Sequence, residues 1–178
     1  MKWICRLLSP VSLFIIGAAL LAPAVSAATV TVTLLPGPLA ITDAPPTLIY
    51  APATATDTAQ TLDATFILAI TDATGKKAGW HIDAVLGPLT TSDGVLVSPL
   101  TSTITRARVI GLTGIAPVGM LAYPRPFRTD SNTIFSADER SGVGKSSLAF
   151  DTEIAVPTDV AITTPLATSL TVTIITGP

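Results

Sequence analysis

The sequence predicts an all-β protein, a single antiparallel β-sandwich of the immunoglobulin-like or jelly-roll-like kind. Thr, Ala, Val, Leu and Ile dominate the chain, which has 15 prolines in 178 residues and only 12% charged residues. Strand-forming residues combined with many turn-forming residues are typical of all-β proteins. Short segments alternate apolar and polar residues between Pro, Gly and Asp punctuation, and no segment after the N-terminal region carries a helical apolar stripe.

The N-terminal region has the pattern of a secretory signal peptide. Lys2 and Arg6 precede an apolar run over residues 7–24, and Val25-Ser26-Ala27 offers small residues for cleavage. We therefore expect a signal peptide over residues 1–27 and a mature, secreted domain over residues 28–178. An uncleaved anchor is the alternative, because about 18 apolar residues nearly span a bilayer.

The mature chain is weakly acidic. Without Lys2 and Arg6 it has eight Lys and Arg against twelve Asp and Glu, a net charge of −4. This balance argues against nucleic acid or anionic lipid as a partner. The single cysteine, Cys5, lies in the predicted signal peptide, so we expect no disulfide in the mature domain.

Alternating segments predict the order of the strands along the chain. Residues 64–70 are apolar at every position except Thr65, as expected of a central strand, and residues 80–86 carry Trp80, Ile82 and Ala84 on one face. With the polar turn 72–79 between them, these two segments are predicted to form a long hairpin. The other predicted strands cover residues 29–34, 39–41, 48–50, 94–97, 104–110, 132–135, 148–156 and 168–176.

The stretch SGVGKSS, residues 141–147, resembles a phosphate-binding loop. Such a loop needs a glycine five residues before Gly144, where this chain has Glu139, and should open a helix. Residues 148–156 instead alternate as a strand does. We therefore expect no nucleotide partner and interpret the stretch as a flexible lead-in to that strand.

Two segments contain candidate ligand-binding residues. Trp80 is interpreted either as a core anchor or as a stacking platform for a sugar or wall polymer. In YPRPFR, residues 123–128, two aromatics alternate with two arginines, a pattern that could stack on sugars and bind carboxylates. The alternative there is an ordinary crossover, with the aromatics plugging the end of the sandwich and the arginines in water. The candidate ligand-binding residues are Trp80, Tyr123, Arg125, Phe127 and Arg128.

The sequence does not predict a catalytic or metal site. His81 and Asp83 share a strand face, but no nucleophile is recognisable near them in the sequence. The aspartates at 57, 63, 72, 83 and 93 lack the spacing of a calcium loop, and zinc would need Cys or His clusters. We therefore predict that the protein is not an enzyme and uses no cofactor or metal.

The stretch TDATGKKAGWHIDA, residues 71–84, resembles the WxL-like surface domains of bacterial envelopes. The matching residues are Asp72, Gly75, Gly79 and Trp80, and Ile82 stands where leucine is usual. The closing segment IAVPTDVAITTPLATSLTVTII also resembles the family's strand-Pro-turn-strand ending, without its second tryptophan motif. The resemblance implies an exported β-sandwich held non-covalently at the cell wall, with peptidoglycan as the ligand.

These observations together predict a secreted, non-enzymatic protein of the bacterial cell surface with a structural or adhesive role. Its expected partners are a cell-wall polymer or other surface proteins. The first alternative is a self-assembling fibre or matrix subunit, a homo-oligomer in which the threonine-rich segments 29–35 and 168–176 pair with a neighbour by strand addition. A secreted hydrolase is the second alternative.

Overall fold

The structure, a computed structural model, describes residues 35–52, 57–91, 100–119, 121–158 and 164–177. The predicted signal peptide and the predicted strands at 29–34 and 94–97 lie outside the described residues. The described residues form ten strands and no helix: β1 (Leu39–Asp43), β2 (Thr47–Tyr50), β3 (Gln60–Asp72), β4 (Trp80–Leu86), β5 (Thr90–Thr91), β6 (Ser102–Gly114), β7 (Arg125–Phe127), β8 (Asn132–Ala137), β9 (Gly144–Val156) and β10 (Leu166–Thr176).

The strands form two antiparallel sheets that pack against each other. The first sheet has the order β1-β3-β9-β6-β7, and the second has the order β2-β10-β4-β8, with β5 also paired to β10. The predicted antiparallel β-sandwich is therefore confirmed. The long strands β3 and β9 pair over thirteen residues without a register shift, from Gln60↔Val156 to Asp72↔Gly144, and form the centre of the first sheet.

The predicted hairpin of β3 and β4 is wrong. Strand β3 pairs with β1 and β9, whereas β4 pairs with β10 and β8 in the opposite sheet. The polar segment 73–79 therefore crosses from one sheet to the other, a distance of about 10 Å that seven residues can span. Alternation in the sequence shows that each strand has one buried face. That face is buried equally well whether the two strands are neighbours in one sheet or lie in two sheets that face each other, so alternation does not identify the partner strand.

The core lies between the inner faces of the sheets. Along β4, Trp80, Ile82, Ala84 and Leu86 are all buried, as their alternation predicts. Aromatic rings fill the centre: Phe66 stacks on Phe150 with centroids 4.8 Å apart, and Phe135 meets Phe150 edge-on at 6.2 Å. Strand β3 has strands on both sides, but only one of its faces is buried, because Ile67 on its outer face is 46% exposed.

The SGVGKSS stretch is a packed turn followed by a strand. Gly144, Lys145 and Ser146 belong to β9 and pair with β3 on one side and β6 on the other. Their backbone is thus committed to the sheet rather than curled around an anion. The predicted flexible lead-in is also wrong, because Ser141 is buried and its Oγ donates to the carbonyl oxygen of Asp138 at 2.9 Å.

Candidate functional site

The candidate segment 123–128 forms the edge of the first sheet. Its last residues make β7, which pairs with the start of β6, Ser102 opposite Phe127 and Ile104 opposite Arg125. Pro124 follows a cis peptide bond and Pro126 lies within β7. Proline cannot donate to a further strand, so a short proline-bearing strand is suited to a sheet edge.

A pocket of about 350 Å³ opens beside this edge strand. Its walls come from the end of β4 and the turn after it, from residues 100–102 and from residues 126–130. The backbone N–H of Leu86 donates to the carbonyl oxygen of Arg128 at 2.9 Å, which fixes the segment after β7 against the second sheet. Buried Leu86, Leu89 and Phe127 give the pocket an apolar side.

The charged side of the pocket is formed by Arg128 and Asp130. The Arg128 Nη1 atom lies 3.8 Å from Asp130 Oδ2, and the two side chains are 58% and 73% exposed. An exposed pair at this distance contributes little to stability because water screens both charges. The Arg128 guanidinium therefore keeps donors available for a carboxylate ligand.

Tyr123 and Arg125 lie apart from this pocket. Tyr123 borders a second pocket of about 300 Å³ together with Phe135, and its hydroxyl donates to the carbonyl oxygen of Ile134 at 2.5 Å. Burial raises the pKa of Tyr123 to about 12, against the opposing effect of the Arg125 charge. The structure thus divides the predicted cluster into a pocket with Arg128 and a second pocket with Tyr123.

Phe127 is part of the core rather than of an exposed stacking surface. Its side chain is buried and its ring lies 6.0 Å from that of Phe66. This position agrees with the alternative prediction for YPRPFR, in which the aromatic side chains fill the end of the sandwich. Phe127 therefore lines the pocket from a buried position and offers no exposed face for stacking.

Trp80 is a core anchor, and its interpretation as a stacking platform is wrong for this fold. Its side chain is 0% exposed, packs against Phe135 at 5.8 Å, and donates from Nε1 to the carbonyl oxygen of Gly142 at 3.2 Å. A ring enclosed on both faces has no surface left for a polymer. The indole N–H is satisfied internally, as buried tryptophan requires.

His81 and Asp83 do not form an acid–base pair. The Nδ1–H of His81 donates to the carbonyl oxygen of Gly177 at 2.7 Å, whereas Asp83 Oδ1 accepts from the hydroxyl of Thr133 at 2.8 Å. Asp83 is thus held by β8, whereas His81 is held by Gly177, the residue that follows β10. Sharing a strand face therefore did not bring the two groups together.

One polar cluster was not predicted from the sequence. On the outer face of the first sheet, Arg108 forms an ion pair with Asp151, which also accepts from the hydroxyl of Thr65 at 2.9 Å. Burial alone would raise the pKa of Asp151, but the hydrogen bonds from Arg108 and Thr65 and the nearby Arg106 charge lower it below its usual value. The alternation of Arg106 and Arg108 on one face was visible in the sequence, whereas their pairing with β9 required the register.

The described residues contain no group of three or more His, Cys, Asp or Glu side chains arranged to hold a metal ion. In the same part of the chain, no helix has the length and apolar character needed to cross a membrane. Comparison with protein-family models, with curated proteins and with solved structures found no match. The site is therefore interpreted from its own chemistry.

Proposed function

We propose that this protein is an exported, non-enzymatic protein of the bacterial cell surface that binds a cell-wall polymer non-covalently through the Arg128 pocket. The observation that carries the proposal is that Arg128 lines a pocket of about 350 Å³ that also has an apolar side. The N-terminal signal pattern supports export, and the resemblance of residues 71–84 to WxL-like domains supports peptidoglycan as the polymer.

The chemistry of the pocket suits a polymer with carboxylate groups. A planar guanidinium binds a carboxylate through two parallel hydrogen bonds, and it does so best beside apolar surface that excludes water. Leu86, Leu89 and Pro126 supply that surface. Peptide stems of a wall polymer present carboxylates next to short apolar side chains, and the volume is at the lower end of the range for small-ligand pockets.

The lining of the pocket supports binding rather than catalysis. Asp130 is the one carboxylate among the lining residues, and no histidine, cysteine or tyrosine is among them. Glycoside hydrolysis ordinarily uses two carboxylates on opposite sides of the bond that is cleaved. A hydrolase reaction at this pocket would therefore lack its second group.

Co-sedimentation with washed cell walls tests the proposal, using the chain from Ala28 onward. We expect the wild type to pellet with walls and Arg128→Ala to weaken binding at least about tenfold, because a charge-assisted hydrogen bond is lost. Arg106→Ala is the matched control, since it removes the same charge from an exposed residue outside the pocket lining. We expect this variant to bind as the wild type does.

Two results would contradict wall binding at this pocket. The first is a wild-type protein that stays in the supernatant with walls from Gram-positive and Gram-negative bacteria. The second is equal loss of binding in Arg128→Ala and Arg106→Ala, which would indicate general charge attraction. Circular dichroism of each variant checks that the fold is intact.

A self-assembling fibre or matrix subunit is the second candidate function. It is favoured by one observation on β10, a strand in the middle of the second sheet: no described residue pairs with residues 171–176 on one of the two sides of the strand. The feature does not involve the Arg128 pocket, so it is independent of wall binding.

A further inference from the structure

Strand β10 is only partly covered on one of its two sides. On one side it pairs with β4 over residues 170–176 and with β5 over residues 166–167. On the other side it pairs with β2 over residues 166–169, and the last bond there runs from the N–H of Leu170 to the carbonyl oxygen of Pro46 at 3.0 Å. Beyond that bond, no described residue pairs with residues 171–176 on this side. We call residues 171–176 the β10 edge.

The direction of the free backbone groups follows from the bonds already made. Successive residues of a strand direct their N–H and C=O to opposite neighbours. The N–H of Leu170 faces the β2 side, whereas the N–H of Gly177 donates to the carbonyl oxygen of Gly79 on the β4 side at 2.9 Å. The N–H and C=O groups of Val172, Ile174 and Thr176 therefore face the open side.

The side chains along the β10 edge are also incompletely covered. Leu166 and Leu170 point into the core and are buried. Val172 and Ile174 continue the same inner face, but they are only half-buried. One more strand beside the β10 edge would cover these two side chains and pair the free backbone groups at the same time.

The open edges of β1, β6 and β7 carry features that disfavour an added strand, and the β10 edge lacks them. The pairing of β6 with β9 shifts register twice, and β6 carries Arg106 and Arg108. Strand β1 has a register shift, and β7 contains Pro126. Irregular backbone, charge and proline are the usual protections of a sheet edge. The pairing of residues 170–176 is regular, and residues 164–177 contain no charged side chain.

A segment of this same chain matches the β10 edge in length and pattern. Residues 29–34 read Thr-Val-Thr-Val-Thr-Leu, six uncharged residues with every second side chain apolar. Val30, Val32 and Leu34 would share one face and could cover Val172 and Ile174, while the threonines face water. Six residues are the length of the β10 edge, 171–176.

The residues that follow this segment favour a second molecule as the acceptor. The N–H of Gly37 donates to the carbonyl oxygen of Ala73 at 2.7 Å, and the N–H of Ala73 donates to that of Pro38 at 3.0 Å, so residues 37–38 continue alongside β3. A return toward the same β10 would need a reversal at Leu35-Pro36. Leu35 precedes a proline and is restricted to extended conformations, and proline is disfavoured at the second central position of a turn.

We propose that the β10 edge of one molecule receives residues 29–34 of a second copy of this chain as an added strand. Repetition of this contact joins each molecule to the next in one direction, because the donor and acceptor are different surfaces. Such a head-to-tail contact generates rings or open filaments rather than only dimers. The partner is thus another copy of the protein, recognised by backbone hydrogen bonds and by the alternation of Val and Thr.

Sedimentation velocity across a concentration series of the chain from Ala28 onward, without cell walls, tests the proposal. We expect the wild type to form oligomers larger than dimers as its concentration rises. Val32→Asp places a charge on the face that would be buried, and we expect it to raise the concentration of half-association at least about tenfold. Thr31→Asp places the same charge on the opposite face of the same segment, and we expect it to change the concentration of half-association less than about threefold.

An acceptor variant tests the other half of the contact. Ile174→Pro removes an N–H that faces the open side and leaves the N–H groups that face β4 in place, so we expect association to be lost. Thermal unfolding checks that this variant is folded. The donor variants remain informative if it is not, since they change none of the residues that form the described sheets.

Three outcomes would overturn the proposal. One is a wild type that stays monomeric throughout the series. Another is equal association of the Val32→Asp and Thr31→Asp proteins. The third is a monomeric wild type combined with a lower melting temperature for the Val32→Asp protein but not for the Thr31→Asp protein. This result would mean that residues 29–34 pair within their own molecule.

Discussion

The indole of Trp80 lies directly against Gly142, and the contact depends on the absence of a side chain at residue 142. Trp80 Nε1 donates to the Gly142 carbonyl oxygen at 3.2 Å. Gly142 has a φ of 69°, and a Cβ added to it would lie 2.6 Å from Nε1 and 2.8 Å from Cε2 of the ring. The turn that resembles a phosphate loop thus packs against a fully buried aromatic residue of the second sheet.

This contact predicts that Gly142→Ala destabilises the protein by about 2–4 kcal/mol, from overpacking a buried ring and from a left-handed backbone. Gly75→Ala is the matched control, because Gly75 has a φ of 68° and nothing within 4 Å of an added Cβ. It should cost only about 1 kcal/mol. Urea unfolding measures the free energy of unfolding of both variants. An equal decrease in the two variants would mean that the contact with Trp80 does not contribute to stability.

The buried hydroxyl of Tyr50 connects the two sheets. It donates to Thr152 Oγ1 at 3.0 Å and accepts from Ser102 Oγ at 2.7 Å. Tyr50→Phe should cost about 1–2 kcal/mol, because two buried hydroxyls lose a partner. A double-mutant cycle with Ser102→Ala measures the bond itself, with an expected coupling of about 1 kcal/mol. Fully additive losses would show that this hydrogen bond makes no net contribution.

The two tyrosines predict a loss of stability at high pH. Burial raises the pKa of Tyr50 above its usual value of 10.0, and that of Tyr123 to about 12. Since the folded state holds these protons more tightly than the unfolded state, their contribution is complete below pH 10 and is lost as the pH rises toward 12. The melting temperature should fall over that window, and less steeply in Tyr123→Phe.

Tyrosinate absorbance gives an independent check of the same shifts. Tyr50 and Tyr123 are the only tyrosines in the sequence, so the whole signal comes from them. In the folded protein, less than half of it should develop by pH 10. Half-completion at pH 10 with the fold retained would contradict the buried positions of both hydroxyls.

The ion pair of Arg108 and Asp151 should contribute little at neutral pH. Both side chains are partly exposed, so Arg108→Gln is expected to cost at most about 1 kcal/mol, and less at high salt. The pKa of Asp151 is lowered in the folded state, so its contribution is present above the usual carboxyl pKa and is lost as the pH falls below it. Chemical unfolding at pH 7 and at acidic pH measures this, and Arg106→Gln, which removes only a weaker charge interaction with Asp151, should show a smaller effect. A cost that is the same at both pH values would contradict the assignment.

Fold class and most strand positions could be predicted from local pattern. In residues 80–86, Trp, Ile, Ala and Leu alternate with His81, Asp83 and Val85, and the first four side chains are buried in β4. Burying such a face is the main favourable contribution to folding, so any structure of this chain has to place it inward. The candidate site was less predictable, because Arg128 was identified while Leu86, Leu89 and residues 100–102 of the same pocket were not.

The sequence by itself determined that this chain forms strands with one apolar face, and that Glu139 and the strand after it exclude a phosphate loop. Only the tertiary structure decided that β3 and β4 belong to opposite sheets, that Trp80 lies against Gly142, and that Tyr123 and Arg128 line different pockets. The physical reason is that side-chain alternation specifies which face of a strand is buried, whereas the neighbour of a strand depends on contacts between residues far apart in the chain.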